Sequence, residues 1–251
     1  MPTLLLFSLL SFRLVSGIQV TTSECGQSKG CWLEPPKCIE GYNTEECDYV
    51  ATWRPEEEGL AIELVTDVTM LNDSYSAHYI SLAFSHDEFM GEDLVVECVS
   101  SPDGRVNAFI SFNDGTHNFR QYVASTSMLK PYDFSTNPTD DSVMGSVIDG
   151  QLRCHFILLY EPPEPLPILE APMIWDVRSN KWQLMMAKGK ANPISHDLHM
   201  HSLYEGDLYP WVARHKVNVT QSEPLENVTS SKHYVNDIPR GMQYKMVMAH
   251  G

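Results

Sequence analysis

The sequence is poor in basic residues. Its 251 residues include 17 Lys and Arg against 33 Asp and Glu, which gives a formal net charge of −16 at pH 7. Because like charges repel, this excess argues against nucleic acid or an anionic membrane surface as a partner. A plainer explanation of the same acidity is that it keeps an exported protein soluble.

Long hydrophobic runs are also missing. The longest apolar block beyond the N-terminal segment is residues 156–160, far short of the roughly 20 residues that cross a bilayer as a helix. We therefore expect no membrane span. Residues 4–10 form a short apolar run, and residues 15–17 (Val-Ser-Gly) follow it as a cleavage site would. The sequence thus predicts a signal peptide over residues 1–17 and a secreted, extracellular protein.

Several catalytic signatures are missing as well. The sequence contains no His-Glu-x-x-His zinc motif, no phosphate-binding loop and no dinucleotide-binding fingerprint. It also lacks Cys-x-x-Cys-His, which excludes covalent attachment of a c-type haem. No catalytic residues are predicted, and the sequence leaves open whether the protein is an enzyme.

Six cysteines are present, and an even number fits an oxidising compartment. Four of them are clustered, whereas Cys98 and Cys154 lie alone in strand-like sequence. We predict two bridges within the cluster and one Cys98–Cys154 bridge. The clustered cysteines are Cys25, Cys31, Cys38 and Cys47. They permit three pairings, which the sequence leaves open, and the absence of a Cys-x-x-Cys pair makes a zinc site the weaker alternative.

Three acceptor sequons support export. They begin at Asn72, Asn218 and Asn227, and each has Ser or Thr two residues later. We predict these three asparagines as glycosylation sites.

The hydrophobic pattern predicts an all-β fold. Residues 60–66 and 78–85 alternate between apolar and polar side chains as half-buried strands do. Polar turns separate them from further candidate strands, and no segment has a sustained helical period. The further candidates are residues 94–99, 106–112, 146–149, 152–160, 173–177, 182–187 and 208–213. Many short strands with polar turns predict a two-sheet antiparallel β-sandwich.

The predicted organisation has four parts. After the signal peptide, residues 18–47 form a disulfide-stapled leader rich in Cys, Gly and Pro. The β-sandwich is expected over residues 48–215. Residues 216–251 carry two sequons and are expected to form an exposed, glycosylated tail.

Three segments carry a resemblance to a known family. The first is the Cys-Gly-Gln-Ser-Lys-Gly-Cys run at residues 25–31, followed by a Pro-Pro pair and two more cysteines. The second is Phe-Met-Gly-Glu-Asp-Leu-Val at residues 89–95, followed by Cys98. The third is the strand-like segment at residues 182–189, followed by His201. Together they resemble the DOMON domains of the ferric-chelate-reductase and stromal-cell-derived-receptor group, and the resemblance covers roughly residues 24–212.

The resemblance implies an immunoglobulin-like β-sandwich. Several members of the family bind b-type haem non-covalently through one Met and one His, which implies Met90 and His201 as axial ligands here. Other DOMON domains bind no haem and are thought to bind sugars or to act in adhesion, so membership alone does not decide the function. The multi-helix transmembrane cytochrome of the family's ferric reductases is not among these 251 residues, so transmembrane electron transfer by this chain alone is not expected.

The surroundings of Met90 suit a ligand. A methionine in a β protein usually fills the core, but Met90 lies in a polar turn between Asp87-Glu88 and Gly91-Glu92-Asp93. Gly91 allows the sharp bend that would present the thioether at the end of the sandwich.

Several histidines compete for the opposite position. In residues 193–201, a period of two places His199 and His201 on one face. His201 best fits the family position, His199 is the fallback and Met200 ranks third. Two alternatives are a solvated His-rich turn and a divalent metal site made by His196, His199 and His201.

Ligation by Met and His would fill both axial positions of haem b and favour outer-sphere electron transfer over substrate chemistry. The predicted function is therefore one-electron transfer with a redox partner protein or a small reductant such as ascorbate. The alternative is a haem-free DOMON sandwich that recognises a ligand, a sugar or a protein. The sequence leaves the oligomeric state open. Aromatic residues could line a haem pocket or simply fill the core; they are Phe84, Phe89, Trp175, Trp182, Tyr204 and Trp211.

Overall fold

The computed structural model describes residues 22–35, 38, 47–71, 77–132, 144–202, 208–222 and 228. The predicted signal peptide and most of the predicted tail lie outside these residues. So do Asn72, Asn227 and Tyr204.

Two antiparallel sheets make up the fold. The first sheet has the order β1-β2-β3-β10-β8, with β9 also paired to β10, and the second has the order β12-β11-β4-β5-β6-β7. The strands are β1 Gly30–Glu34, β2 Tyr49–Pro55, β3 Gly59–Asp67, β4 Ala77–Ser85, β5 Asp93–Ser100, β6 Val106–Asp114, β7 His117–Arg120, β8 Leu129–Pro131, β9 Gly145–Ile148, β10 Gln151–Leu159, β11 Gln183–Ala191 and β12 Trp211–Val212. Helix α1 spans Tyr122–Met128, and 3-10 turns lie at Thr69–Leu71 and Ala171–Met173. The prediction of an all-β antiparallel sandwich is confirmed.

The core lies between the two sheets and follows the alternation of the strands. In β4 the buried core side chains are Ile80, Leu82 and Phe84, spaced by two residues. From the first sheet, Ile62 and Leu64 of β3 belong to the same core cluster. Burying a side chain of this size contributes roughly 1.5–3 kcal/mol relative to leaving it exposed, so the alternating positions hold the sheets together.

Disulfides connect the same parts of the chain that the cysteine pattern indicated. Cys98 of β5 is bonded to Cys154 of β10, so this bridge joins the two sheets. Within the cluster the pairs are Cys25–Cys31 and Cys38–Cys47. The predicted bridges are confirmed, and the structure selects one of the three pairings that the sequence left open.

The structure differs from the sequence prediction at several points, which include the short strands β7 and β8. The leader contains a strand, because β1 pairs with β2 and buries Trp32 completely. Helix α1 was not expected, since its seven residues are too few to show a helical period. The strand predicted at residues 173–177 is wrong. Pro172 lies in the preceding 3-10 turn, and the chain continues without a strand partner.

No helix among the described residues is long and apolar enough to cross a membrane.

Candidate functional site

The Met90 loop, residues 86–92, connects β4 to β5. Gly91 has φ +126°, and a Cβ built on it would lie 3.2 Å from the Cα of Gly115 in the neighbouring hairpin turn. Glu92 donates its N–H to the carbonyl of Asn113 at 2.7 Å. Met90 itself is half-buried. The loop is therefore held against the β6–β7 turn at one end of the second sheet, and only glycine allows so close an approach.

Asp93 holds this loop in place through a hydrogen bond to the loop backbone. It is fully buried, and its Oδ2 accepts the Gly91 N–H at 2.9 Å and the Asn113 side-chain amide at 3.0 Å. Burial raises the pKa of Asp93 above its ordinary value of 3.8, although the hydrogen bonds oppose the shift. Its Oδ1 is buried without a partner. The Asp93 carboxylate is therefore protonated more readily than the carboxylate of a surface aspartate.

An aromatic group made of Trp175, Trp182, Phe112 and His86 of the Met90 loop lies at this end of the sandwich, and of its members Trp182 is buried and His86 exposed. The rings of Trp175 and Trp182 are parallel within 9°, with centroids 5.3 Å apart. His86 lies 4.6 Å from Trp175 and 4.9 Å from Trp182, and Phe112 meets Trp175 edge-on at 5.6 Å. Trp175 and Trp182 were two candidates for the walls of a haem pocket. The structure packs them against each other and against His86, which matches the core-packing alternative.

The predicted histidine segment lies beside the other end of β11. His199 donates its N–H to the carbonyl of Lys190 at 2.9 Å, and its own carbonyl accepts the Tyr79 hydroxyl at 3.2 Å. His201 is half-buried, with Nδ1 3.1 Å from the carbonyl of Ser202. Burial lowers the pKa of His201. The imidazole is thus neutral at pH 7 and chemically able to act as a ligand.

The strand register fixes where the segments that carry the two predicted ligands join the second sheet. The Met90 loop follows Ser85, which pairs with Gln183 at the start of β11. His199 is bonded to Lys190, near the end of β11. The two attachment points are 190 − 183 = 7 residues apart on one strand, which corresponds to about 23 Å. The attachment points of Met90 and His201 therefore lie at opposite ends of the second sheet.

The His-rich alternative also finds no support in the part of the chain that the structure describes. There, no group of three or more His, Cys, Asp or Glu side chains could hold a metal ion. His196 instead places Nε2 2.8 Å from the hydroxyl of Ser101. His199 and Met200 are exposed.

A buried polar network on the outer face of the second sheet was not predicted from the sequence. The carboxylate of Glu97 pairs with the guanidinium of Arg120 at 2.9 Å and accepts a hydrogen bond from the Ser111 hydroxyl. Arg120 also donates to the carbonyls of Ser195 and His196 at 3.1 and 2.7 Å. The network thereby holds the segment after β11 across the sheet. The available signal was a lone Glu within the apolar strand β5.

The same arginine lies over an aromatic ring. Its guanidinium carbon is 3.8 Å from the centroid of Phe109, an arrangement that adds cation–π attraction to the ion pair.

Comparison with known proteins gives three curated relatives. Two are named "DOMON domain-containing protein FRRS1L", from Mus musculus and Homo sapiens; each is 31% identical over 98 residues, which cover 39% of this chain and 29% of the relative. The third is "Putative ferric-chelate reductase 1 homolog" from Drosophila melanogaster, 25% identical over 168 residues, covering 66% of this chain and 22% of that protein. The chain thus spans less than a third of the length of each.

No family model and no solved structure matches the chain. At low identity, the curated relatives support a DOMON-type family for this protein.

Proposed function

We propose that this chain is an extracellular DOMON-type β-sandwich that acts by binding a partner, and that it does not carry electrons on a haem held by Met90 and His201. The observation that supports the proposal is that the Met90 loop and the histidine segment join β11 at points about 23 Å apart, at Gln183 and at Lys190. An axial Met and an axial His must meet across a single iron atom. Of the two functions that the sequence permits, this separation favours recognition.

The residues around the Met90 loop do not fit the cofactor well. A porphyrin needs a flat slot beside the methionine, bounded by apolar side chains. Trp175 and Trp182 are stacked on each other, and the ring of His86 in the loop is tilted against both, with all three centroids within 5.3 Å of one another. Their mutual packing supports a structural role for the aromatic group.

The proposed extracellular location is supported by the cysteine chemistry. All six cysteines are paired in three disulfides, and such bonds persist in oxidising compartments. The redox name of the Drosophila relative belongs to that protein, of whose length this chain covers 22%.

Haem reconstitution tests the proposal. The purified chain would be incubated with haemin and separated from unbound haemin, and its visible spectrum would be recorded in both oxidation states. We expect no stoichiometric low-spin spectrum with a sharp Soret band. A low-spin spectrum that is lost in both Met90→Leu and His201→Ala would overturn the proposal.

Matched variants make that test specific. Met200→Leu removes a methionine that is 51% exposed and serves as the control for Met90→Leu. His199→Ala is the control for His201→Ala, and it also tests the fallback ligand.

A further inference from the structure

Two large apolar side chains stand at the tip of an exposed turn. Ile168 is 89% exposed and Leu169 is 79% exposed. They are the central residues of a turn in which Glu170 donates its N–H to the carbonyl of Pro167 at 2.9 Å. Such central positions usually hold Gly, Asn, Asp, Ser or Pro. An Ile-Leu pair at these positions exposes apolar surface that is not buried in the folded domain.

The exposed surface continues onto helix α1. The carboxylate of Glu170 accepts the backbone N–H groups of Val123 and Ala124 at 3.2 and 2.8 Å, which brings the turn beside the start of the helix. Tyr122 and Val123 are themselves exposed. We call the four side chains Ile168, Leu169, Tyr122 and Val123 the apolar tip. Exposed apolar side chains gathered at one place on a domain surface indicate an interaction site.

The turn is held rigidly in place. Residues 162–172 contain five prolines, each of which fixes φ. Leu166 packs against the main core. At the base of the loop, Arg178 bonds Glu161 at 2.8 Å and lies over the ring of Tyr160 at 4.5 Å. A tip that is already ordered loses little conformational entropy on binding, so its apolar area can contribute to affinity.

Charge indicates what kind of surface the tip fits. Residues 161–178 contain three Glu, one Asp and one Arg, Arg178, which pairs with Glu161 and Asp176. Helix α1 has no charged residue. The whole chain carries −16. A second copy would bring two strongly acidic surfaces together, which costs free energy. A partner with Lys or Arg around an apolar pocket would gain electrostatic attraction and faster association.

We infer that the apolar tip is a docking site for a different protein, one that presents an apolar pocket rimmed by Lys and Arg. The inference rests on the proposed binding function and names the surface that performs it. Ile168 and Leu169 enter the pocket, and Tyr122 and Val123 widen the contact. The carboxylates of Glu164 and Glu170 meet the cationic rim.

Two designed helical peptides with the same Leu/Trp face test this inference. One peptide has Lys and the other has Glu at the positions that flank the face. Binding to the full chain would be measured by calorimetry, and the contact residues would be mapped by NMR chemical shifts. We expect the Lys peptide alone to bind, with its footprint on the apolar tip and an affinity that falls as salt is raised.

Variants connect the binding to the tip. Ile168→Asp combined with Leu169→Asp should weaken the Lys peptide at least about tenfold. Ile194→Asp is the matched control, because Ile194 is 90% exposed but lies in the segment after β11. This control should leave binding unchanged, and all variants should keep the unfolding temperature of the parent.

Three results would overturn the inference. They are equal binding of the Glu peptide, unchanged affinity in the double variant, and an Ile168-dependent dimer in sedimentation velocity. These readouts use no haem and are independent of the reconstitution spectrum. A haem spectrum would therefore contradict the proposed function and leave the peptide result unchanged. A failed peptide test would contradict the docking site and leave the result of the haem test unchanged.

Discussion

The carboxylate of Glu97 and the guanidinium of Arg120 form an ion pair 2.9 Å long on the outer face of the second sheet. Their side chains are 0% and 4% exposed. The pair is satisfied further by the Ser111 hydroxyl and by the carbonyls of Ser195 and His196. Arg120 bonds Glu97 of β5 and two carbonyls in the segment after β11. It therefore connects the sheet to the part of the chain that leads to His201.

Removing one partner of this pair should be costly. Arg120→Ala leaves Glu97 buried without its cation, and breaking a buried pair in this way costs about 3–5 kcal/mol. The free energy of unfolding measured with urea checks this value. Arg105→Ala is the control, since the Arg105–Asp103 pair is exposed and exposed ion pairs contribute little to stability. Similar small losses in both variants would contradict the prediction.

The two bridges whose loops differ most in length should differ in their contribution to stability. Cys98 and Cys154 are 56 residues apart, whereas Cys25 and Cys31 are 6 apart. In the chain-entropy account, closing these loops stabilises the fold by about 4 and about 2 kcal/mol. Replacing each pair by Ala and measuring the unfolding temperature checks the order. A larger drop for the Cys25–Cys31 pair would show that leader packing outweighs loop entropy.

The fold was accessible from the sequence because its signals are local. Alternation along residues 60–66 and 78–85 identified β3 and β4, and the distribution of cysteines indicated the bridge between the sheets. Helix α1 was missed because it is seven residues long and has no side-chain cap hydrogen bond. The ion pair was missed because its members are 23 residues apart and meet only through the register of three strands.

The sequence could not predict how the two proposed ligands lie relative to each other in the fold. The sequence places Met90 before β5 and His201 after β11, but it does not tell which end of the sheet each reaches. That depends on β11 running antiparallel to β4. Met90 and His201 as haem ligands stay a prediction.

The raised pKa of Asp93 predicts a pH-dependent stability. A group whose pKa is raised in the folded state costs stability once the pH exceeds its unfolded value of 3.8, and the cost grows until the folded group ionises. Asp93→Asn removes this cost. As the pH rises from about 3 to 7, the free energy of unfolding of the variant should therefore increase relative to that of the parent.

Asp176 supplies a control of opposite sign. Its pKa is lowered chiefly by the hydrogen bond from Arg178, so its contribution is present above pH 3.8 and is lost as the pH falls through the folded pKa. Over the same rise in pH, the free energy of unfolding of Asp176→Asn should decrease relative to that of the parent. The same slope in both variants would contradict the assignment of the Asp93 shift to burial.

The one described sequon is arranged as a local turn. The Oδ1 of Asn218 accepts the backbone N–H of Thr220 at 3.1 Å and its hydroxyl at 2.8 Å. With Oδ1 engaged in this way, we predict that the amide nitrogen carries a glycan in the protein secreted from eukaryotic cells. Asn218→Gln and Thr220→Ala should each remove the same mass, measured by intact-mass spectrometry. Retention of that mass in either variant would locate the glycan elsewhere.

Gly91 sets the position of the Met90 loop, and its replacement should show this directly. An alanine at φ +126° is strained, and its Cβ would lie 3.2 Å from the Cα of Gly115. Gly104→Ala is the matched control, because Gly104 has φ +85° with no atom within 4 Å of the added Cβ. The control reports backbone strain alone, about 1 kcal/mol, whereas Gly91→Ala should cost about 2–3 kcal/mol. Urea unfolding measures both; equal costs would mean that the β6–β7 turn simply moves away and does not hold the loop.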